Sequence, residues 1–169
     1  MPMLRAKELA VIADKAQISH ALCDQRLLEE LEAAIAKSGR MKAVRHFVAT
    51  EPDSCLAGQP PDFDTIDSSA HDTALLAFTS GTTGQPKATM HFHKDVMAMA
   101  DIVGGKLLNT AADDIYIGSP PLGFTFGLGA SLVFPLRFRA AVVLVEAPSP
   151  DALLGGVERH GATGLFTAP

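Results

Sequence analysis

The amino-acid sequence predicts an α/β fold with a mostly parallel sheet flanked by helices. Residues 1–49 alternate strand, helix and strand patterns, which is typical of parallel strands joined by crossover helices. A buried-strand run, ALLAFT, leads directly into a glycine-rich loop, and a second such run, AAVVLV, precedes a helical pattern. We therefore expect a single α/β domain over residues 1–169, divided into a strand–helix–strand unit (1–49), a loop (50–72) and a longer segment (73–169).

The strand–helix–strand unit begins with a predicted helix over residues 4–16, where Leu9, Ile12 and Ala16 recur at helical spacing. Short strands are predicted at 18–23 and 43–49. Between them, Asp24 is expected to cap a second helix that ends near Gly39. The apolar stripe of this helix comprises Leu27, Leu28, Leu31, Ala34 and Ile35.

Residues 50–71 are rich in Pro, Asp, Ser and Gly, so we expect a surface connection with little regular structure. A strand follows at 74–79, and the alternating segment ATMHFH predicts another at 88–93. Residues 95–108 then predict a helix. Its inward stripe is expected to be Val96, Met99, Ala100, Val103 and Leu107.

The last part of the chain predicts short strands at 115–117, 140–145 and 164–167. A helix or buried segment is expected at 131–136. Residues 150–160 predict a further helix, because proline stands at its first position and Gly161 follows its last turn. The chain contains no internal repeat.

Composition excludes several classes of protein. Hydrophobic residues make up 47% and charged residues 20%, which is a soluble globular composition, and no apolar run reaches the roughly 18–20 residues of a membrane span. The net charge of −5 without a Lys/Arg cluster argues against a nucleic-acid partner. Without a secretory signal, we expect a cytoplasmic protein with reduced thiols at Cys23 and Cys55, although a disulfide between them stays open.

The stretch TSGTTGQPK has the chemistry of a polyphosphate cradle. Glycines let several backbone N–H groups converge on one anion, hydroxyls add donors, and a lysine adds positive charge. It differs from a Walker A loop, because proline precedes the lysine and a strand pattern follows it. Composition alone also allows an ordinary Gly/Thr-rich hairpin turn. The candidate phosphate-binding residues are Thr79, Ser80, Gly81, Thr82, Thr83, Gly84 and Lys87.

TSGTTGQPK resembles the signature loop of the adenylate-forming superfamily, which includes acyl- and aryl-CoA ligases, luciferases and peptide-synthetase adenylation domains. The resemblance implies that the chain is part of the large N-terminal domain of such an enzyme, and that the loop binds the β- and γ-phosphates of ATP. It implies ATP, Mg²⁺ and CoA as cofactors. The sequence departs from the family pattern at Ala88, where glycine is commoner, and at Lys94, where arginine is usual.

A second segment, SPPLGFTFGLG, together with LRAKEL near the N-terminus, looks most like the benzoate and 2-aminobenzoate CoA ligases. In that family the segment forms a wall of the pocket for a small aromatic or other carboxylic acid. The resemblance therefore implies that His93, Phe124, Phe126 and Gly127 line a substrate pocket. The alternative is that both phenylalanines are ordinary core residues.

The resemblance also implies a downstream segment for adenine and Mg²⁺, an aspartate for the ribose, and a C-terminal domain with the adenylation lysine. None of these occurs in the 169 residues, so we expect an internal piece that is inactive alone. The alternative is a non-catalytic fragment that binds nucleotide or assembles into a homo-oligomer through exposed sheet edges. A P-loop NTPase is opposed by the motif spacing.

Two further groups carry no predicted function. His91 and His93 would share one face of a strand, but no third ligand is near in sequence, so no metal site is expected. Asp113 and Asp114 could act as paired carboxylates, yet their position just before a strand favours a solvated turn.

Overall fold

The computed structural model describes residues 4–38, 43–47, 58, 60–79 and 86–168. These residues fall into two compact units. The N-terminal unit comprises residues 2–68 and 78–89, and the C-terminal unit comprises residues 69–77 and 90–169. No helix within the described ranges is long and apolar enough to cross a membrane.

The N-terminal unit contains the predicted strand–helix–strand arrangement. Its elements are α1 (Ala6–Ala16), β1 (His20–Asp24), a short 3₁₀ turn (Gln25–Leu27), α2 (Leu28–Ser38) and β2 (Ala43–Phe47). Strands β1 and β2 pair in parallel, with His20 opposite Ala43 and Asp24 opposite Phe47. This parallel pairing confirms the expectation from the strand–helix–strand pattern.

Alanines form the buried contact between α1 and α2. Ala6, Ala10 and Ala13 are buried together with Leu31 and Ala34 of α2. The predicted stripe of α1, in contrast, is only half-buried. Alanine side chains let two helix backbones approach closely, so the alanines occupy the interface together with Leu31, and the predicted stripe of α1 lies at its border.

Asp24 caps the 3₁₀ turn rather than α2 itself. Its carboxylate accepts a hydrogen bond from the backbone N–H of Arg26 at 2.9 Å. Helix α2 therefore starts only at Leu28, and Leu27, which was expected in the buried stripe, lies in the turn and is exposed.

The strand that follows the predicted loop is β3 (Thr73–Thr79), and it pairs with β4 (Lys87–Phe92) in a two-stranded sheet. Helix α3 (His93–Met99) begins two residues earlier than the sequence pattern predicts. The cause is Asp95, whose carboxylate accepts a hydrogen bond from the Phe92 N–H at 2.9 Å and so stabilises the first turn. His93 is thus helical, and its expected place on the same strand face as His91 was wrong.

A π-helical segment, Ala100–Leu107, continues α3. The wider π turn changes the angular position of each residue, which explains why Leu107 is 74% exposed although an α-helical stripe would turn it inward. Gly104 is buried instead, and a β-carbon there would lie 3.2 Å from Cβ of Phe134.

The C-terminal unit contains a three-stranded sheet of β5 (Ile115–Gly118), β6 (Ala141–Val143) and β7 (Gly164–Phe166). Strand β5 is central and pairs in parallel with both neighbours. Between β5 and β6 the chain forms α4 (Thr125–Leu128), a π-helical turn (Gly129–Val133) and α5 (Phe134–Phe138), and α6 (Pro150–His160) connects β6 to β7. The predicted α/β class with a parallel sheet is confirmed.

The core of this unit surrounds β5. Ile117 is fully buried, and Tyr116, Phe134 and Ala100 form one cluster beside it. Strand β6 is shorter than predicted, because its pairing with β5 ends at Val143, and the next residue, Leu144, is 63% exposed. Leu136 is 70% exposed although it lies in α5, so the expected helix at 131–136 is present but not wholly buried.

Candidate functional site

The ends of the candidate phosphate loop lie on paired strands. Thr79 is the last residue of β3 and Lys87 is the first residue of β4, and both are exposed. Strands β3 and β4 pair with each other, and only residues 80–86 separate their facing ends in sequence. A hydroxyl and an ammonium therefore flank the same short connection. The predictions for Ser80, Gly81, Thr82, Thr83 and Gly84 fall outside the described residues.

A lysine that the sequence patterns did not single out contacts this connection. The Nζ atom of Lys15, in the last turn of α1, donates a hydrogen bond to the backbone carbonyl of Pro86 at 2.8 Å. The two residues are 71 positions apart, so neither helical spacing nor a local motif could have revealed the contact.

The junction of β4 and α3 holds the other predicted residue of this region. His93 is exposed, and its backbone N–H donates to the carbonyl of Asp72 at 3.2 Å. The neighbouring Lys94 ammonium lies 3.2 Å from Nδ1 of His71 and 5.7 Å from the centre of the Phe92 ring. A role for His93 in a substrate pocket stays a prediction.

The aromatic segment after β5 is partly accessible. Phe124 is 42% exposed and Phe126 is 47% exposed, so neither is an ordinary buried core residue within the described structure. The ring of Phe126 packs edge-on against Phe166 with centroids 6.3 Å apart, and Phe166 in turn packs against Tyr116 at 5.0 Å. Both predicted rings therefore retain surface that a ligand could contact.

Gly127 is buried and held against backbone. A β-carbon at this position would overlap the carbonyl oxygen of Pro121 and would lie 2.5 Å from that of Pro120. The glycine thus lets the start of α4 pass directly over the two proline carbonyls. The sequence prediction placed Gly127 in a pocket wall, and the structure adds this close backbone approach.

An open cleft of about 280 Å³ lies at the carboxyl ends of β5 and β6. Ligands commonly bind at this edge of parallel sheets. Pro120, Pro121 and Leu144 give the cleft apolar walls, while Ser131 and Glu146 contribute polar groups. Phe124 and Phe126 are not among its lining residues.

The titratable groups near these elements serve local structure. Asp114 has a pKa below its usual range, because its carboxylate accepts hydrogen bonds from the Ala111 N–H and from the Thr163 hydroxyl. This supports the interpretation of Asp113 and Asp114 as part of a turn.

Burial raises the pKa of the Cys23 thiol, with the Asp24 carboxylate a second cause. The thiol is therefore kept protonated and weakly nucleophilic.

The described part of the chain contains no group of three or more His, Cys, Asp or Glu side chains arranged to hold a metal ion. His91 and His93 belong to different elements, a strand and a helix.

Comparison with known proteins places this geometry in context. A family model described as "AMP-binding enzyme" matches residues 1–169. A benzoate–CoA ligase of Thauera aromatica is 33% identical over 115 residues, which are 68% of this chain and 22% of that protein. The chain thus spans about a fifth of the length of this relative.

Two solved structures share the fold. An anthranilate CoA ligase, AuaEII, solved with anthranoyl-AMP, superimposes with a TM-score of 0.84 at 24% identity, covering 96% of this chain and 33% of that one. MatB from Rhodopseudomonas palustris, solved with ATP bound, superimposes with a TM-score of 0.79 at 27% identity, covering 96% of this chain and 32% of that one. The fold of the described elements is therefore the fold of about one third of each of these enzymes.

Proposed function

Since the chain belongs to the AMP-binding enzyme family, we propose that it acts in the AMP-forming ligation of an aromatic carboxylic acid to CoA. The observation that carries this proposal is the string TSGTTGQPK, which runs from the last residue of β3 to the first residue of β4. The family model matches the chain throughout. ATP, Mg²⁺ and CoA enter the proposal through family membership.

In this proposal the two ends of the connection hold the phosphates that leave. The Thr79 hydroxyl donates a hydrogen bond and the Lys87 ammonium supplies positive charge to the β- and γ-phosphates, while the residues between them add hydroxyls and backbone N–H groups. When bound with ATP, Mg²⁺ would neutralise part of the polyphosphate charge. Exposure of both Thr79 and Lys87 leaves them accessible to a nucleotide from solvent.

The reaction proposed is attack of a substrate carboxylate oxygen on the α-phosphorus. A new oxygen–phosphorus bond forms, the bond to the β-phosphate oxygen breaks, and pyrophosphate leaves with the electron pair. Donors aimed at the leaving phosphates stabilise the charge that develops there, which is the largest contribution expected of this region. A CoA thiol would then displace AMP from the acyl-adenylate.

An aromatic acid is the favoured substrate class. The support is the resemblance of SPPLGFTFGLG to benzoate and 2-aminobenzoate CoA ligases and the similarity to the Thauera benzoate–CoA ligase. Phe124 and Phe126 keep exposed ring surface that could pack against an aromatic ring.

Calorimetric titration with MgATP tests the nucleotide part of the proposal. We expect saturable binding that pyrophosphate competes away, and we expect Lys87→Met to weaken it by at least tenfold because a charge-assisted contact is lost. Lys106→Met, which removes an exposed lysine from the π-helical segment, is the control and should bind as the unchanged chain does. A folded chain without measurable MgATP affinity would contradict the proposal.

A second candidate function, self-assembly without catalysis, is favoured by exposed apolar side chains. Leu136, Leu144 and Leu154 of the C-terminal unit are each more than half exposed. Within the described residues, β6 and β7 each pair on one side only, so their outer edges could pair with another chain. Light scattering over a concentration series discriminates the candidates: an oligomer without nucleotide affinity would support assembly, and a monomer that binds MgATP would oppose it.

A further inference from the structure

We propose that Lys15 is a positioning residue for Lys87, because it holds the carbonyl of the peptide unit that joins Pro86 to Lys87. The inference rests on the proposed function for its effect on MgATP. The contact itself does not depend on that function, because it joins two residues of the same unit and involves no nucleotide.

The geometry of the contact explains why one hydrogen bond can orient this segment. Proline has no N–H group, so the carbonyl is the only backbone hydrogen-bonding group of Pro86, and Lys15 donates to it at 2.8 Å. The carbonyl of Pro86 and the N–H of Lys87 belong to one planar trans peptide and point in opposite directions. Holding the carbonyl toward Lys15 therefore sets the direction of the Lys87 N–H and the start of β4.

Helix α1, which carries Lys15, is held in place by packing and by a hydrogen bond to α2. Its alanines pack against α2, and the Ala6 N–H donates to the Glu30 carboxylate at 2.8 Å. Gln17 caps the helix after Ala16: it adopts a left-handed conformation with φ of 54°, and its N–H donates to carbonyls of the last turn. A lysine in the last turn usually interacts with the carbonyls of its own helix, but the ammonium of Lys15 reaches a carbonyl outside it.

The charge of Lys15 adds to its geometric effect. The ammonium lies against the residue that directly precedes Lys87, so a second positive charge stands at the exit of the connection. Both charges would attract a triphosphate, and an ammonium-to-carbonyl hydrogen bond is stronger than a neutral one. Lys15 would thus support phosphate binding without touching the nucleotide.

Three variants test the proposal. Lys15→Met removes the donor and the charge while keeping an unbranched side chain, and Lys15→Arg keeps both. Lys7→Met removes an exposed lysine from the same helix and leaves the Pro86 contact intact. The first readout is the amide resonance and hydrogen-exchange rate of Lys87 in the unliganded chain, and the second is the dissociation constant for MgATP.

We expect Lys15→Met to shift the Lys87 amide resonance, speed its exchange and weaken MgATP binding by about three- to tenfold, the size of one lost hydrogen bond. Lys15→Arg should restore both readouts, and Lys7→Met should change neither. An unchanged Lys87 amide in Lys15→Met, or a changed amide with unchanged MgATP affinity, would overturn the inference. If the unchanged chain binds no MgATP, the proposed function fails. The Lys87 amide readout then still tests whether Lys15 positions Lys87.

Discussion

Gly127 and Pro121 are so close that a methyl group on the glycine would overlap the proline carbonyl oxygen. The obstacle is backbone rather than the flexible end of a side chain, so it cannot move aside cheaply. This relationship ties the start of α4 to the segment that leaves β5, and that segment lines the cleft at the carboxyl end of the strand.

Gly127→Ala is expected to destabilise the protein by about 1–3 kcal/mol, because overpacking against backbone forces the 119–124 segment to shift. Urea unfolding followed by circular dichroism measures this change. The control is Gly155→Ala in α6, where an added β-carbon meets nothing within 4 Å. That variant should gain about 0.5–1 kcal/mol from improved helix propensity. Equal stability of the two variants would contradict the role assigned to Gly127.

A buried hydrogen-bonded group links the π-helical segment to β5. The Thr110 hydroxyl donates to the Gly104 carbonyl at 2.7 Å and lies 2.6 Å from the Tyr116 hydroxyl. Thr110→Val removes the hydroxyl that contacts both groups, while the Gly104 carbonyl keeps its hydrogen bond from the Thr110 N–H, so we expect a loss of about 1–3 kcal/mol. Tyr116→Phe removes one hydroxyl and should cost about 1 kcal/mol.

The double variant Thr110→Val with Tyr116→Phe completes a thermodynamic cycle measured by chemical unfolding. We expect the double variant to be less destabilised than the sum of the two single variants, by about 0.5–1.5 kcal/mol, because the two groups contact each other. Thr110→Ser keeps the hydroxyl and is the control. Strict additivity would show that the contact contributes nothing.

Asp114 gives the protein a defined pH dependence. Its pKa is lowered in the folded state, first by the Ala111 N–H and then by the Thr163 hydroxyl. The unfolded chain therefore takes up this proton first, so the stabilisation is full above the ordinary aspartate pKa of about 3.9 and is lost as pH falls through the lower folded value. Asp114→Asn should make stability less dependent on pH from about the ordinary aspartate pKa downward.

Carboxyl carbon chemical shifts measure this pKa directly. Thr163→Val should raise the Asp114 pKa part of the way toward its ordinary value, because the Ala111 hydrogen bond remains. An Asp114 pKa at its ordinary value in the unchanged protein would refute the assignment.

Local signals in the sequence sufficed where a helix carries its own caps. Helix α6 has the predicted bounds, because Ser149 accepts from the Ala152 N–H at its start and Gly161 adopts a left-handed conformation at its end. The order of strands and helices in the N-terminal unit was predictable for the same reason, since each element has its own period and boundary residues.

Features that depend on distant residues were not predictable from local pattern. The π-helical segment after α3 changes which residues turn inward, and it is associated with a buried glycine that faces Phe134 across the unit. The Lys15 contact with Pro86 joins parts of the chain with no shared motif. Strand and helix periods describe one element at a time, whereas these features arise from two elements meeting.

The order of the strands in the C-terminal unit has a consequence for when this sheet can form. Among the strands that the structure describes, β5 pairs with β6 and β7, which both come later in the chain, and β7 ends at Phe166. The Thr163 N–H donates to the Ile115 carbonyl across this sheet at 2.8 Å, so closing the sheet joins segments far apart in sequence. During synthesis, one side of β5 stays unpaired until β7 has emerged, and closing that side joins residues 48 positions apart in the chain, which makes it a comparatively slow step in folding.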